Sequence, residues 1–371
     1  MKDIGNLLKL NKKIIWTQHD EWAFTGGCHY TSGCVGYLNN CRECIQLNPK
    51  IWPLAELTYL EKAIHYSNHL ELVSPSKWLA QKAKNSPLFK NTKIHVISNS
   101  LENEWFNSYN KWEIRKKYGI SSDCFVVGFG ADSISEKRKG ITYLIEAFDL
   151  LMENEDWKLA FESKKIILSF FGNYSGSNRS IEKYANHLGS FSNDKEIAEI
   201  YQMMDIFVIP SMEDNLPNTM LESMASKTPV LGFPIGGIVE TIRHNENGFL
   251  ADSISSSSLA EQLYRIWKDL AFCSQVGESA YQYAREKFSM DNQALAYNDI
   301  FVSVSRYNQV NSNLEKLTKE KLNLQWKVVS DKLKAAYLNH IKSLSWKSGF
   351  LNLLFYSRFI SDFIQSYIKK K

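Results

Sequence analysis

Long apolar runs are missing from this sequence. Nowhere among its 371 residues do about eighteen apolar residues follow one another, which argues against a membrane-crossing helix of ordinary length. The first thirteen residues mix charge and leucine without an apolar centre, unlike a secretory leader. Cysteine is scarce too: six in a chain this long do not make a disulfide scaffold. No internal repeat and no low-complexity segment is present. Net charge is only +4, but it is unevenly placed. Residues 311–371 hold twelve Lys/Arg against four Asp/Glu, which leaves the other 310 residues at −4. A near-neutral body with a basic tail points to an anionic surface as the tail's partner, such as a membrane, and not to nucleic acid. The expected place is the cytoplasm, peripheral to the inner membrane face.

What is present is ample core material, 44% hydrophobic, in a length that suits two domains with additions. The middle of the chain alternates short apolar runs with helical stripes. Strands are expected at 125–129, 166–171, 206–209 and 229–232. Helices are expected at 141–152, where Ile141, Leu144, Ile145, Phe148 and Leu151 share a face, and at 195–204, 217–226 and 237–244. Strands separated by helices imply βαβ units and a parallel sheet. The earlier part reads as strands 13–18, 70–74 and 94–98 with helices 53–69 and 76–84, which is thin for a doubly wound domain. Helical patterns follow at 292–306 and 314–344. The expected division is 1–107, 108–290, a helix over 291–310, and a basic helical tail over 311–371.

The densest chemical signal is Pro210-Ser-Met-Glu-Asp-Asn-Leu-Pro-Asn-Thr-Met-Leu-Glu222-Ser-Met-Ala. A strand ends, a polar loop follows, and a helix opens near Pro217. Backbone N–H groups of Leu216, Asn218 and Thr219 would face a cleft at that end of the sheet, where the helix dipole favours anions. Asn218 and Glu222 are four apart and share a helical face, so Glu222 is placed to accept from a ribose diol. The plainer alternative leaves Asp214 and Glu222 as solvated surface acids. A second signal is Gly128-Phe-Gly130-Ala-Asp-Ser-Ile-Ser-Glu-Lys137-Arg138-Lys139-Gly140. Arg138 or Lys139 suits a diphosphate that gains charge as it leaves, or the stretch is a basic surface loop. A third is the Gly236-Gly237 pair at a helix start, a phosphate nest or a plain turn.

These motifs resemble the retaining glycosyltransferases of family 4, of GT-B fold, and within them the bacterial surface-polysaccharide transferases. The matching text is Arg138-Lys-Gly140, Ile209-Pro-Ser211, Asn215-Leu-Pro-Asn-Thr219, Glu222-Ser-Met-Ala225, Thr228-Pro-Val230, Gly236-Gly237 with Glu240, and Asn247-Gly248. The resemblance runs from Trp16 to Arg306 and implies two Rossmann-like domains. It implies that Glu222 binds ribose, that Asp214 contacts the transferred sugar, and that the backbone of Asn215, Leu216, Pro217 and Asn218 holds sugar and phosphate oxygens. Lys139 would stabilise the departing diphosphate. Relatives often carry an arginine where this chain has Ala131, so Arg138 is expected to supply that charge. Seven residues separate Asp214 from Glu222, the family's interval, although Glu213 stands beside it. The block Trp16-Thr-Gln-His19-Asp20-Glu-Trp22-Ala-Phe-Thr-Gly-Gly-Cys28-His29 matches the same subfamily and makes His19 the residue against the donor sugar, ahead of His29.

The resemblance implies transfer from a UDP- or GDP-sugar to a polysaccharide or lipid-linked acceptor, with no metal or cofactor in the chemistry. Full-length relatives open with a strand, a glycine-rich loop and helices that find no match before Lys13, so the N-terminal domain is expected to be incomplete. The alternative is a non-catalytic nucleotide-sugar-binding or assembly protein. Cys28, Cys34, Cys41 and Cys44 lie within seventeen residues, which suits either a structural zinc held by four thiolates or free buried thiols. Cys124 and Cys273 read as core. Residues 345–368 are aromatic and apolar before a final lysine triplet, which suits a membrane interface or a docked helix.

Overall fold

The computed structural model describes residues 7, 13–48, 53–66, 70–107, 109–134, 136–174 and 180–307. The expected tail over 311–371, with its membrane-facing stretch, lies outside the described residues. Among the described residues no helix is long and apolar enough to cross a membrane.

Two parallel sheets organise the chain. The first has three strands in the order β1 (Ile14–Thr17), β2 (Leu70–Ser74), β3 (Ile94–Val96). β2 is central and buried along its whole length, Glu71 and Ser74 included. α1 (Pro53–His65) and α2 (Lys77–Asn85) make the crossovers. Ser76 caps α2: its hydroxyl accepts the amide of Leu79 at 3.1 Å.

The second sheet has six strands: β4 (Phe125–Ser133), β5 (Ile166–Asn173), β6 (Ala185–His187), β7 (Ile206–Ile209), β8 (Val230–Gly232) and β9 (Phe249–Leu250). Their spatial order is β6-β5-β4-β7-β8-β9, and every pairing is parallel. This is the doubly wound order, with its reversal between β4 and β7. Helices cover both faces: α3 (Lys111–Lys117), α4 (Ile141–Leu151), α5 (Glu155–Glu162), α6 (Asp194–Met203), α7 (Asn218–Ala225), α8 (Gly236–Thr241), α9 (Ser256–Lys268) and α10 (Leu270–Lys287). On one face Leu144, Phe148, Trp157 and Leu263 pack over the sheet; on the other do Tyr201, Met220, Leu221 and Met224. Cys124 and Cys273 are both buried.

Some boundaries differ from the sequence reading. β4 continues to Ser133, past the expected end at Phe129, because it stays paired with β5 through an irregularity between Gly130 and Ser133. Pro217 is the cap before α7 and not part of its first turn. A last helix, α11 (Met290–Tyr307), returns to the first sheet. Its Ile300, Ala296, Tyr297 and Val304 pack with Ile15, Val73 and Ile97. The Tyr297 hydroxyl meets Thr17 Oγ1 at 2.7 Å.

Candidate functional site at the switch point

Where strand order reverses, the loops after β4 and β7 diverge and leave a crevice at the carboxyl ends of the strands. Here those loops are 134–140 and 210–217, with 233–235 after β8 beside them. Two glycines allow them to pack backbone on backbone. Gly140 has φ +71, and a Cβ there would stand 1.8 Å from the carbonyl oxygen of Pro210. Gly236 has φ +50, and its Cβ would stand 1.8 Å from the carbonyl oxygen of Asp214. The Met212 amide donates to the Arg138 carbonyl at 2.8 Å, and the Gly237 amide to the Asp214 carbonyl at 3.3 Å. The glycine pair therefore serves loop packing, and at least one amide of the expected phosphate nest is already engaged.

Side chains converge at this seam. Buried Asp214 accepts from Lys139 Nζ at 2.7 Å and from Arg138 Nη1 at 3.1 Å, both on the same carboxylate oxygen. Ser211 Oγ donates to it at 3.3 Å, and the Asn215 amide donates to the other oxygen at 3.1 Å. Arg138 is further held by Glu136 at 2.6 Å. The cations and the acid that the sequence placed on two separate loops thus form one cluster. Glu213 faces the other way, towards the first sheet: the Ser32 amide donates to it at 2.8 Å and Lys82 Nζ at 3.0 Å. Of the two neighbouring acids, Asp214 is the one beside the cations.

Leu216 and Pro217 are buried, and no side chain caps the start of α7. Asn218 is exposed and its Oδ1 accepts from Asn99 at 2.8 Å. One turn on, Glu222 is half-buried and accepts from the Tyr201 hydroxyl at 2.9 Å. Burial pushes the Glu222 carboxyl up to about 7, against the pull of that hydrogen bond. Tyr201 was not foreseen: it lies on α6, 21 residues away, in a helix whose stripe reads as plain core. Lys82 and Tyr30 were also missed, since each is an ordinary residue until the fold brings it to the loop; Ser211 stood in the motif but was given no role.

From the first sheet, His19 reaches the junction by its backbone: its carbonyl accepts from Asn215 Nδ2 at 3.0 Å, while its side chain is exposed. His29 pairs with Asp20 at 2.6 Å in solvent. The four clustered cysteines stand apart from the seam. Cys41 and Cys44 are buried with Phe24, Tyr37 and Leu79. Cys41 Sγ accepts the Gly26 amide at 3.2 Å, and Cys34 Sγ the Gly36 amide at 3.3 Å. The Cys28 thiol is pushed up to about 11 by burial and then by the other three. Among the described residues no group of three or more His, Cys, Asp or Glu side chains is placed to hold a metal ion. Spacing left a four-thiolate site or free thiols open; the Cys34 and Cys41 sulfurs accept backbone amides, and Cys41 and Cys44 lie in an apolar core. A cavity of about 540 Å³ lies elsewhere, against the first sheet, between Tyr66, Glu71, Lys93 and Val304.

Residues 110–283 match the Glycosyl transferases group 1 family. That matched stretch contains every loop of the switch point. Glycosyltransferase MJ1607 of Methanocaldococcus jannaschii is 28% identical over 63% of this chain and 61% of that protein. The N-acetyl-alpha-D-glucosaminyl L-malate synthase of Bacillus anthracis is 26% identical over 58% of this chain and 55% of its own. The capsular polysaccharide biosynthesis glycosyltransferase CapM of Staphylococcus aureus is 23% identical over 62% and 61%. The chain spans about three fifths of the length of these curated relatives. Among solved structures, sucrose-phosphate synthase from Thermosynechococcus elongatus superposes with a TM-score of 0.59 at 16% identity, over 82% of this chain and 71% of that one. Anabaena HepE in complex with UDP gives 0.58 at 15%, over 82% and 75%. Both likenesses are of fold, and that fold is GT-B.

Proposed function

We propose that the chain binds a nucleoside diphosphate sugar at the switch point and transfers its sugar to a glycan or lipid-linked acceptor. The observation that carries this reading is the cluster itself: Arg138 and Lys139 meet Asp214 at the switch point between β4 and β7. Two cations there suit a diphosphate, whose negative charge grows as the sugar leaves. A diphosphate arriving at Lys139 would take over the partner that Asp214 now provides, and the freed carboxylate would accept from sugar hydroxyls. Glu222, held by Tyr201, would accept from the ribose diol. The open amides at the start of α7 would add donors for phosphate or sugar oxygens. The relatives named for capsular polysaccharide and for N-acetylglucosaminyl malate synthesis, and the UDP in HepE, support a nucleotide-sugar donor.

The transfer is read as retaining, as the family resemblance implies. The bond from the anomeric carbon to the diphosphate oxygen breaks, and the acceptor oxygen bonds to that carbon from the same face. The acceptor's proton passes to the leaving phosphate oxygen. In this reading the chain orients the partners and neutralises charge, without supplying a separate base. The basic, aromatic tail over 311–371 would favour an anionic membrane surface, where lipid-linked acceptors are found.

Calorimetric titration of UDP and GDP into the full chain and into Lys139→Ala tests the donor site. One nucleotide should bind the native chain, and the variant should bind it about tenfold or more weakly, a difference of about 1.4 kcal/mol. Equal affinity in both proteins rejects the diphosphate role.

A further inference from the structure

Polar groups tie the two sheets together at the switch point, and most of those described converge on three consecutive residues of the loop after β7. Asn215 accepts from Ser76 Oγ at 2.5 Å and donates to the His19 carbonyl at 3.0 Å. Glu213 receives the Ser32 amide at 2.8 Å, the Thr31 hydroxyl at 3.3 Å and Lys82 Nζ at 3.0 Å. Lys82 is pinned from behind by Glu21, a fully buried carboxylate that also accepts the Thr31 amide at 3.0 Å. Glu240 adds a further tie, capping the start of α2 from across the junction through the amides of Lys77 at 2.8 Å and Trp78 at 2.5 Å.

Next to this clasp, Tyr30 enters the cation cluster. Its ring lies 4.0 Å from the Arg138 guanidinium, and its hydroxyl is 3.5 Å from Asp214 Oδ1. Face-on stacking fixes the plane of a guanidinium while its N–H groups, which lie in that plane, remain free to donate. Arg138 comes from the second sheet and Tyr30 from the first. The stack therefore exists only while the two halves are closed on each other.

We propose that Tyr30 is a positioning residue for the donor diphosphate, acting through Arg138, and that Glu213 with Lys82 is the clasp that brings it into place. The proposal rests on the donor reading above and extends it: the phosphate-binding arginine is completed by the opposite half of the molecule. Closure and assembly of the donor site become one event.

The test compares the full chain with Tyr30→Ala, Tyr30→Phe and Glu213→Gln. Calorimetry reads binding of UDP and GDP, with uridine and guanosine as phosphate-free controls. Amide hydrogen exchange reads residues 28–32 and 213–216 without nucleotide. Tyr30→Ala should weaken the diphosphate about fivefold, the scale of one partly desolvated cation–π stack, and leave the nucleoside unchanged. Tyr30→Phe, which keeps the ring, should stay within about twofold of native. Glu213→Gln should exchange faster over both segments. Native diphosphate affinity in Tyr30→Ala overturns the positioning role, as does an equal loss in Tyr30→Phe, which would assign the effect to the hydroxyl. If the native chain binds neither nucleotide, the donor reading falls first. Exchange still judges the clasp in that case, and unchanged rates in Glu213→Gln overturn it.

Discussion

The two sheets are stabilised by different means. The six-stranded one has apolar residues at regular spacing on both faces, with Phe125, Phe207, Leu221 and Leu263 fully buried. Between β1 and α1 of the three-stranded one, the described residues hold only short 3-10 turns, Trp22–Phe24 and Gly36–Asn39. It is held by side chains reaching back to the main chain. Lys62 is the centre of this: wholly buried on α1, it donates to the carbonyls of Trp22 and Thr25 and lies 3.8 Å from the Trp22 ring. Burial brings its ammonium down to about 8. The lesson is that a loop without a periodic pattern can be ordered by one buried cation beside a small apolar cluster, here Phe24, Tyr37, Cys41 and Cys44.

Substitutions can break that comparison. Phe207→Ala in the six-stranded sheet should cost about 4 kcal/mol by denaturant titration, as removal of a fully buried ring does. Lys62→Met should cost about 3 kcal/mol although it puts an apolar chain into an apolar place, because two carbonyls lose a charged donor. If Lys62→Met instead matches native stability, the segment is held by its apolar contacts like the rest of the molecule. Glu222→Ala comes third. It should weaken UDP or GDP about tenfold, or about 1.4 kcal/mol, with little change in the exchange of residues 213–216. A variant that binds as native removes Glu222 from the ribose site.

The same contrast decides what could be read from the sequence. Where periodicity rules, the reading was close: β2 and β7 were placed at their observed bounds, and the face of α4 from Ile141 to Leu151 packs as its stripe requires. The loops after β4 and β7 were legible because Pro210, Pro217 and the glycines mark strand and helix ends. β6 escaped because Ala-Asn-His is not an apolar run; its place comes from pairing with β5. Tyr30, Lys82 and Tyr201 escaped for another reason. Their partners lie 184, 131 and 21 residues away along the chain, and local spacing carries no trace of such pairs. The cysteine spacing left two readings open for the converse reason: proximity in sequence brought four thiols near one another without fixing where each sulfur points.

The finest comparison sets one acid of each half against the other, Glu21 fully buried and Glu222 half-buried. Glu21 and Glu222 both rise to about 7 from an ordinary value near 4.5, chiefly by burial. Glu21 has Lys82 against it, whereas Glu222 has only the Tyr201 hydroxyl. A carboxyl raised in the folded state contributes stability fully below its unfolded value and loses it as pH rises through the folded one. Each acid should therefore lower the melting temperature between about pH 4.5 and pH 7, with little further change above. Glu21→Gln and Glu222→Gln should each flatten that decline. Nucleotide binding should run in the opposite direction. A ribose diol donates to the ionised carboxylate, so UDP or GDP affinity should rise through about pH 7 in the native chain. In Glu222→Gln that rise should vanish, while in Glu21→Gln it should persist. A rise that survives in Glu222→Gln and disappears in Glu21→Gln would move the pH-sensing group from the ribose site to the clasp at Lys82.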